Sequence, residues 1–257
     1  MKPFSLDEYE RLVAESEVLE QDGHGLKVLK TLDGRIVKLF RQKRLISSAR
    51  LKSYSSRFVD NALTLKSLGI KTVDVESVYY CKPIKRTLVF YLPIPGQTLR
   101  AVLQDQTCCD DVMKRFAAFF AELHNKGVFF RSIHLNNVIV SEDLNSLGLI
   151  DIADMKVVQD QLSLQMRKRN FKHLTRYKVD QKAILSFGLE DFMDIYFSES
   201  DLPVAQKNEL TVLLKTLTGA GGQVSHEEDN LYHVVKFFWL SLPFFNVGKS
   251  FSFPAYW

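Results

Sequence analysis

Apolar and polar positions alternate in short runs along the first ninety residues, then give way to a period of three to four, which predicts a strand-rich first third and a helical remainder. LKVLKTL and RIVKLF flank Asp33-Gly34, and an Asp-Gly pair between strand-like runs predicts a hairpin. A helix-compatible stretch runs from about Ser47 to Leu68, stopped by Gly69, and VDVESVYY and RTLVFYL follow as two more strands. The expected order is β-β-β-α-β-β. Pro93-Ile94-Pro95-Gly96 interrupts it, because prolines cannot donate to a strand ladder, and reads as an extended connector. Beyond it, VMKRFAAFFAELHNKG places Val112, Phe116, Phe119, Phe120 and Leu123 on one helical face before Gly127. The short apolar runs GVFF, NVIV and LGLI are separated by polar loops, and helical patterns span about 181–197, 201–219 and 226–241. No internal repeat or low-complexity linker separates these parts, so any division is between packed lobes rather than tethered modules.

Composition adds modest constraints. With 257 residues, 46% hydrophobic and 25% charged, the chain can bury a sizeable core as one large domain or two small lobes. A formal charge of +4 is too weak by itself to argue for nucleic acid, but suits an anionic substrate or a membrane surface. Cys81, Cys108 and Cys109 form no metal-ligand spacing and read as free thiols of a reducing compartment. The first twenty residues carry several acids and no apolar run behind a basic leader, which argues against an ordinary secretory signal. VVKFFWLSLPFFNVG contains Lys236 and Pro243 and falls short of the roughly 20 clean apolar residues needed to span a bilayer. It reads as a buried C-terminal helix and turn, with membrane contact as the alternative, and the cytoplasm is the expected compartment.

Phosphoryl transfer needs phosphates held by a cation and backbone donors, metal held by oxygen ligands, and a group that positions the attacking hydroxyl. Candidates for each part occur in order. In Asp22-Gly23-His24-Gly25, Gly23 and Gly25 allow a tight turn to approach phosphates, although a short G-x-G also reads as a plain hairpin turn. Alternation puts Lys38 on the strand face of Ile36 and Phe40, where a lone ammonium needs an anionic partner; an edge strand facing water is the alternative. The most informative stretch is FRSIHLNNVIV followed by LGLIDIADM, two polar clusters at the ends of short apolar strands.

Phe130-Arg131-Ser132-Ile133-His134-Leu135-Asn136-Asn137 resembles the catalytic loop of protein-kinase-like sugar and small-molecule kinases, usually H-[RG]-D-x-H-x-[GN]-N. In particular it resembles the bacterial lipopolysaccharide core kinases, which phosphorylate Kdo or heptose, and the related proteins labelled toluene-tolerance proteins. The resemblance covers about residues 20–185, and its specificity lies in the joint order of the motifs. It implies an α+β, protein-kinase-like two-lobed fold: residues 1–93 as an N-lobe of antiparallel sheet with one helix, and 94–257 as a mostly helical C-lobe. Pro95-Gly96-Gln97-Thr98-Leu99 resembles the segment that follows the hinge. The implied roles are Lys38 on the α/β-phosphates of ATP, the Gly23–Gly25 turn over the phosphates, and Asn137 and Asp151 on Mg²⁺, with Ser132 at the catalytic aspartate position. The implied reaction is ATP-dependent phosphorylation of a sugar hydroxyl on an anionic glycolipid or core oligosaccharide, with peripheral contact at the inner membrane.

Two positions depart from that pattern. Ser132 has no carboxylate and cannot act as a base near pH 7, and the alternative it opens is a pseudokinase that binds nucleotide and regulates without transferring phosphate. The helix before Gly69 offers Asp60 and Asn61 but no glutamate to pair with Lys38. His134 is expected to support the loop, and Asp154 to be a solvated acid, with a second-metal or substrate contact as its alternative. Arg41, Lys43, Arg44, Arg50, Lys52 and Arg57 form one basic cluster, and Arg167, Lys168, Arg169, Lys172, Arg176 and Lys178 another. Both flank the expected cleft and suit an anionic acceptor or surface; no nucleic-acid-binding motif accompanies them.

Overall fold

The computed structural model describes residues 1–41, 53–104 and 109–220. The expected helix at 226–241, the apolar stretch at 234–248, the start of the helix expected from Ser47, and Lys43, Arg44, Arg50, Lys52 and Cys108 lie outside the described residues.

The chain is a mixed α+β protein. It opens with β1 (Lys2–Pro3), α1 (Leu6–Ala14), β2 (Glu17–Asp22), β3 (Gly25–Lys30) and β4 (Ile36–Arg41). Then come α2 (Tyr54–Ser67), β5 (Lys71–Thr72), β6 (Asp74–Cys81), β7 (Arg86–Leu92), β8 (Gln97–Thr98), α3 (Leu99–Gln104) and α4 (Cys109–Asn125). Short strands β9 (Val128–Phe130), β10 (Val138–Val140), β11 (Leu147–Leu149) and β12 (Met155–Val157) precede α5 (Leu164–Leu174), α6 (Lys178–Phe187), α7 (Leu189–Ser198) and α8 (Val204–Thr218). The first sheet runs β1-β6-β7-β4-β3-β2, antiparallel throughout except that β1 joins β6 in parallel. A second sheet runs β5-β11-β10-β8, and β12 pairs with β9.

Local chemistry explains the turns. The β3–β4 connection is a five-residue loop rather than a bare Asp-Gly turn: Thr31 accepts Arg35 into the loop by donating its N–H to the Arg35 carbonyl at 2.9 Å, while its hydroxyl donates to Asp33 Oδ1 at 2.5 Å. Gly34 supplies the left-handed residue this needs, at φ +85°. Ser53 caps α2 by accepting the Ser56 N–H at 3.1 Å, and Gly69 at φ +72° ends the helix.

The first third holds two helices, not the one expected. Val37 and Leu39 point to the opposite face of β4 from Ile36, Lys38 and Phe40, and they pack with Leu29, Cys81, Leu88 and Phe90 beneath Tyr9, Leu12 and Val13 of α1. That helix satisfies the outer face, which would otherwise expose a row of aliphatic side chains. The other face meets α2, whose Phe58, Ala62 and Leu65 join a core continuous with Phe116, Phe120, Leu149, Phe171, Phe192 and Tyr196. The basic run at 164–174 is a further helix that the apolar pattern did not predict, and Gly188, at φ +109°, divides the expected 181–197 helix into α6 and α7.

One member of the second basic cluster is internal. Arg167 is fully buried and donates to Leu162 O, Tyr196 Oη, Ser200 Oγ, Asn125 Oδ1 and Gln161 Oε1 at 2.7–3.4 Å. His124 lies in the same network, between Tyr196 Oη at 2.7 Å and Asn170 Oδ1 at 3.0 Å, and Asn170 donates to Phe130 O at 2.6 Å. These buried polar groups anchor the end of β9, from which the Ser132 loop departs.

Candidate active site

Lys38 and Asp151, separated by 113 residues, meet at 2.5 Å through Nζ and Oδ1. β4 delivers the lysine, which its neighbours Phe40 and Phe58 flank with ring centroids 5.9 and 5.7 Å from Nζ. The aspartate stands just past β11 in the left-handed region, φ +54° and ψ +40°. A non-glycine residue held there marks a backbone constrained by its surroundings. Half of the Asp151 side chain, 50%, stays open to solvent, while Lys38 is only 19% open. Burial pushes the Asp151 carboxyl up, but the Lys38 charge and hydrogen bond outweigh it, and the net displacement is downward.

The loop between β9 and β10 approaches the same place. Asn137 begins the β10–β11 hairpin, and its carbonyl accepts the Ile150 N–H at 3.0 Å, so Asn137 and Asp151 occupy one end of that hairpin. Its side-chain amide donates to the Ser132 carbonyl at 2.8 Å, leaving Oδ1 as the acceptor available to a cation. Ser132 is partly buried beside it. Leu135, in the short turn that follows, donates its N–H to Asp180 Oδ2 at 3.3 Å, and Asp180 is fully buried and clamped by Arg100 through Nε at 3.0 Å and Nη2 at 2.9 Å. This clamp fixes the loop from the helical side, a contact invisible in the local motif.

His134 stacks edge-on against Tyr177 at 5.2 Å, with Nδ1 buried and unpartnered. Burial first, and then the charge of Arg100, lower its pKa to about 4, so the ring is neutral at pH 7. It is built into the loop. Asp154 is no free acid: Arg131 Nε and Nη2 donate to its Oδ1 at 3.0 and 2.5 Å, and the Arg131 N–H donates to its carbonyl. This pairing laces the Ser132 loop to the segment after Asp151, alongside the β9–β12 ladder.

The position opposite Lys38 on α2 is resolved differently from a lysine–glutamate pair. Asn61 donates to the carbonyls of Ile152, at 2.6 Å, and Met155, holding the backbone that follows Asp151 rather than the lysine. Gly23 and His24 form the two-residue turn of the β2–β3 hairpin, Asp22 Oδ1 accepting the His24 N–H at 2.8 Å and Arg86 donating to the His24 carbonyl at 2.5 Å. The next strand over carries Lys38, opposite Val28. Lys27 of the hairpin, paired with Glu20 at 2.9 Å, is close enough to contribute to the field on Asp151.

Lys38, Ser132, Asn137 and Asp151 are thus carried by elements that converge, with the Gly23–Gly25 turn on the adjoining strands. A cavity of about 700 Å³ lies elsewhere, walled by Gly69–Thr72, Leu92–Pro95 and Ser146–Gly148, and includes none of them. Among the described residues no three His, Cys, Asp or Glu side chains gather for a metal, and no helix is long and apolar enough to cross a membrane. The chain matches no protein-family model and no curated protein.

Proposed function

We propose that the chain is a protein-kinase-like phosphotransferase that uses ATP to phosphorylate an alcohol, with residues 1–93 as its nucleotide half and 94–257 as its acceptor half. The observation that carries this reading is the Lys38–Asp151 contact: a strand lysine meets a carboxylate 113 residues later, at the end of the hairpin that begins with Asn137. Kinase chemistry requires that set, a phosphate-binding lysine on the strand after a glycine hairpin and an Asp/Asn pair for metal. Mg²⁺ keeps several waters and takes few protein ligands, so Asp151 and the Asn137 amide oxygen suffice to hold it beside the phosphates. When bound, the ion supplies charge neutralisation on the phosphate oxygens.

The protein's own groups would divide the remaining work. Lys38, released from Asp151, fixes phosphate oxygens with a partly buried charge; Gly23, in the Gly23-His24 turn, lets backbone approach without a side chain of its own. Ser132 can hydrogen-bond the acceptor hydroxyl and aim it, though it takes no proton at neutral pH. Losing a general base costs roughly 10²–10⁴-fold, which leaves room for slow turnover because phosphoryl transfer depends mainly on positioning. The resemblance of the Ser132 loop to lipopolysaccharide core kinases points to a sugar hydroxyl as acceptor. Ser132 also favours a second reading, a nucleotide-binding regulatory module without transfer.

Purified protein should be stabilised thermally by ATP with Mg²⁺, and a mass-resolved transfer assay with core oligosaccharide should show turnover that Asp151→Ala abolishes and Ser132→Asp raises. Stabilisation without turnover in either protein selects the regulatory module. Neither stabilisation nor turnover removes both readings.

A further inference from the structure

We propose that Arg131, Arg169 and Arg176 form a subsite for a phosphate group carried by the acceptor, beside the Ser132 loop. The placement as an acceptor subsite rests on the phosphotransferase reading; the anion site itself does not. Arg131 is the chain neighbour of Ser132, exposed, and held in place by Asp154 at 2.5 Å. Arg169 on α5 and Arg176 just past it are also exposed, and neither forms an ion pair with a carboxylate among the described residues.

Two aromatic rings set the guanidiniums in place. Arg169 lies over Phe129, its Cζ 5.5 Å from the ring centroid, and Arg176 over Tyr177 at 5.9 Å. Stacking of this kind pre-orients a planar fork whose paired N–H groups match phosphate oxygens. Backbone and ring contacts bring the three together around His173, whose carbonyl accepts the Arg176 N–H at 3.3 Å, while Phe129, under Arg169, lies two residues before Arg131. His173 packs edge-on against Phe129 at 6.0 Å, and after burial the groups that lower its pKa are Arg169, Arg131 and Arg176, opposed by Asp154 alone. Three guanidiniums against one carboxylate leave an excess of two positive charges, matching the near-dianionic phosphate monoester at pH 7. Tyr177, under Arg176, also packs edge-on against His134 at 5.2 Å, so the patch adjoins the Ser132 loop rather than lying remote from it.

Arg167 is consumed internally and Lys168 is paired with Glu209, so the basic run does not present a uniform surface.

Calorimetric titration of the full chain with inorganic phosphate and with glucose 6-phosphate, at low salt and without nucleotide, tests the proposal. Arg169→Ala and Arg176→Ala should each weaken binding about tenfold, and Arg169→Lys should fall between wild type and alanine because it keeps charge but loses the fork. Equal phosphate affinity in the Arg169→Ala/Arg176→Ala double variant, or no phosphate binding by wild type, would overturn it. Binding to phosphatidylglycerol vesicles alone, lost in the double variant, would overturn it in favour of a membrane surface. Thermal shift with ATP, run on the same proteins, separates the two ideas: arginine-dependent phosphate binding without any ATP shift leaves this subsite standing while the phosphotransferase reading falls.

Discussion

At Asp151 two forces oppose each other, since burial favours its neutral form and Lys38 its charged form. The balance falls to Lys38, so the carboxyl titrates below its ordinary 3.8. Its stabilising contribution is therefore complete above that pH and lost as pH falls through the lower folded value. Replacing Lys38 with Met leaves burial opposed only by the weaker influence of His134 and Lys27, and a carboxyl titration followed by NMR should show the Asp151 pKa moving upward; an unchanged value would mean the pair does not form in solution. The histidines run the same way for a different reason. His134 is held at about 4 and His124 at about 3, both primarily by burial, against an ordinary 6.5. Between those values the unfolded chain takes up protons that the folded chain does not, so stability falls as pH drops from 6.5 towards 4. Each group contributes at most about 1.4 kcal/mol per pH unit, less for His134 because it is only partly buried. Denaturant midpoints measured across this range should fall less steeply in His134→Gln than in wild type. Strand alternation gave Lys38 its need for an anionic partner, which Asp151 supplies, while Asn137 and Asp151 were singled out by the resemblance of their loops to a kinase pattern. The roles of Asn61 and Asp180 were not legible, because each acts on backbone 45 to 94 residues away and no local pattern records such a partner.

Among the elements, the connector after β7 is the least forgiving. Gly96 adopts φ +130°, and a Cβ there would stand 2.0 Å from the Val140 carbonyl oxygen, where β8 pairs with β10. Gly96→Ala must move backbone as well as strain it, and should destabilise by about 2 kcal/mol or more. Gly34→Ala is the matched control: φ is +85°, but no atom lies within 4 Å of the added carbon, so only the conformational cost of about 1 kcal/mol applies. Urea midpoints that fell equally for the two would show that the close approach is relieved by a rearrangement costing nothing. The longer strands β3, β4, β6 and β7 and the helix α4 were readable because their apolar periods are strong, whereas two- and three-residue strands such as β1, β5, β8 and β12 are too short to carry one. α1 was hidden by its lack of any fully buried residue, although Ser5 and Glu8 carry a capping box, with the Ser5 N–H donating to Glu8 Oε2 at 2.6 Å and Ser5 Oγ accepting the Glu8 N–H at 3.2 Å. α5 was hidden by its charge, since Arg167 and Asn170 occupy core positions that a hydrophobic pattern counts as exposed.

Across the whole molecule, the core does not part where the connector suggests a boundary. Phe58, Leu65, Val73 and Val89 from the first 93 residues share one apolar cluster with Phe116, Leu149, Phe192 and Leu210, and β5 hydrogen-bonds to β11 across the same line. The smaller cluster under α1 is the only apolar packing among the described residues that the first third keeps to itself. A fragment ending at residue 93 would expose the inner faces of α2 and β7, and burying a Phe or Leu side chain is worth about 1.5–3 kcal/mol each. Those four side chains alone approach the 5–15 kcal/mol net stability of a typical domain, so the fragment should not fold by itself. The intact chain should accordingly unfold in one calorimetric transition, with calorimetric and van't Hoff enthalpies in agreement. Leu65→Ala, placed in the shared core, should lower that single midpoint by about 2–5 kcal/mol equivalent without splitting it. Two resolved transitions, or a cooperatively folded 1–93 fragment, would show instead that the two halves fold independently and that the Lys38–Asp151 contact joins separate bodies.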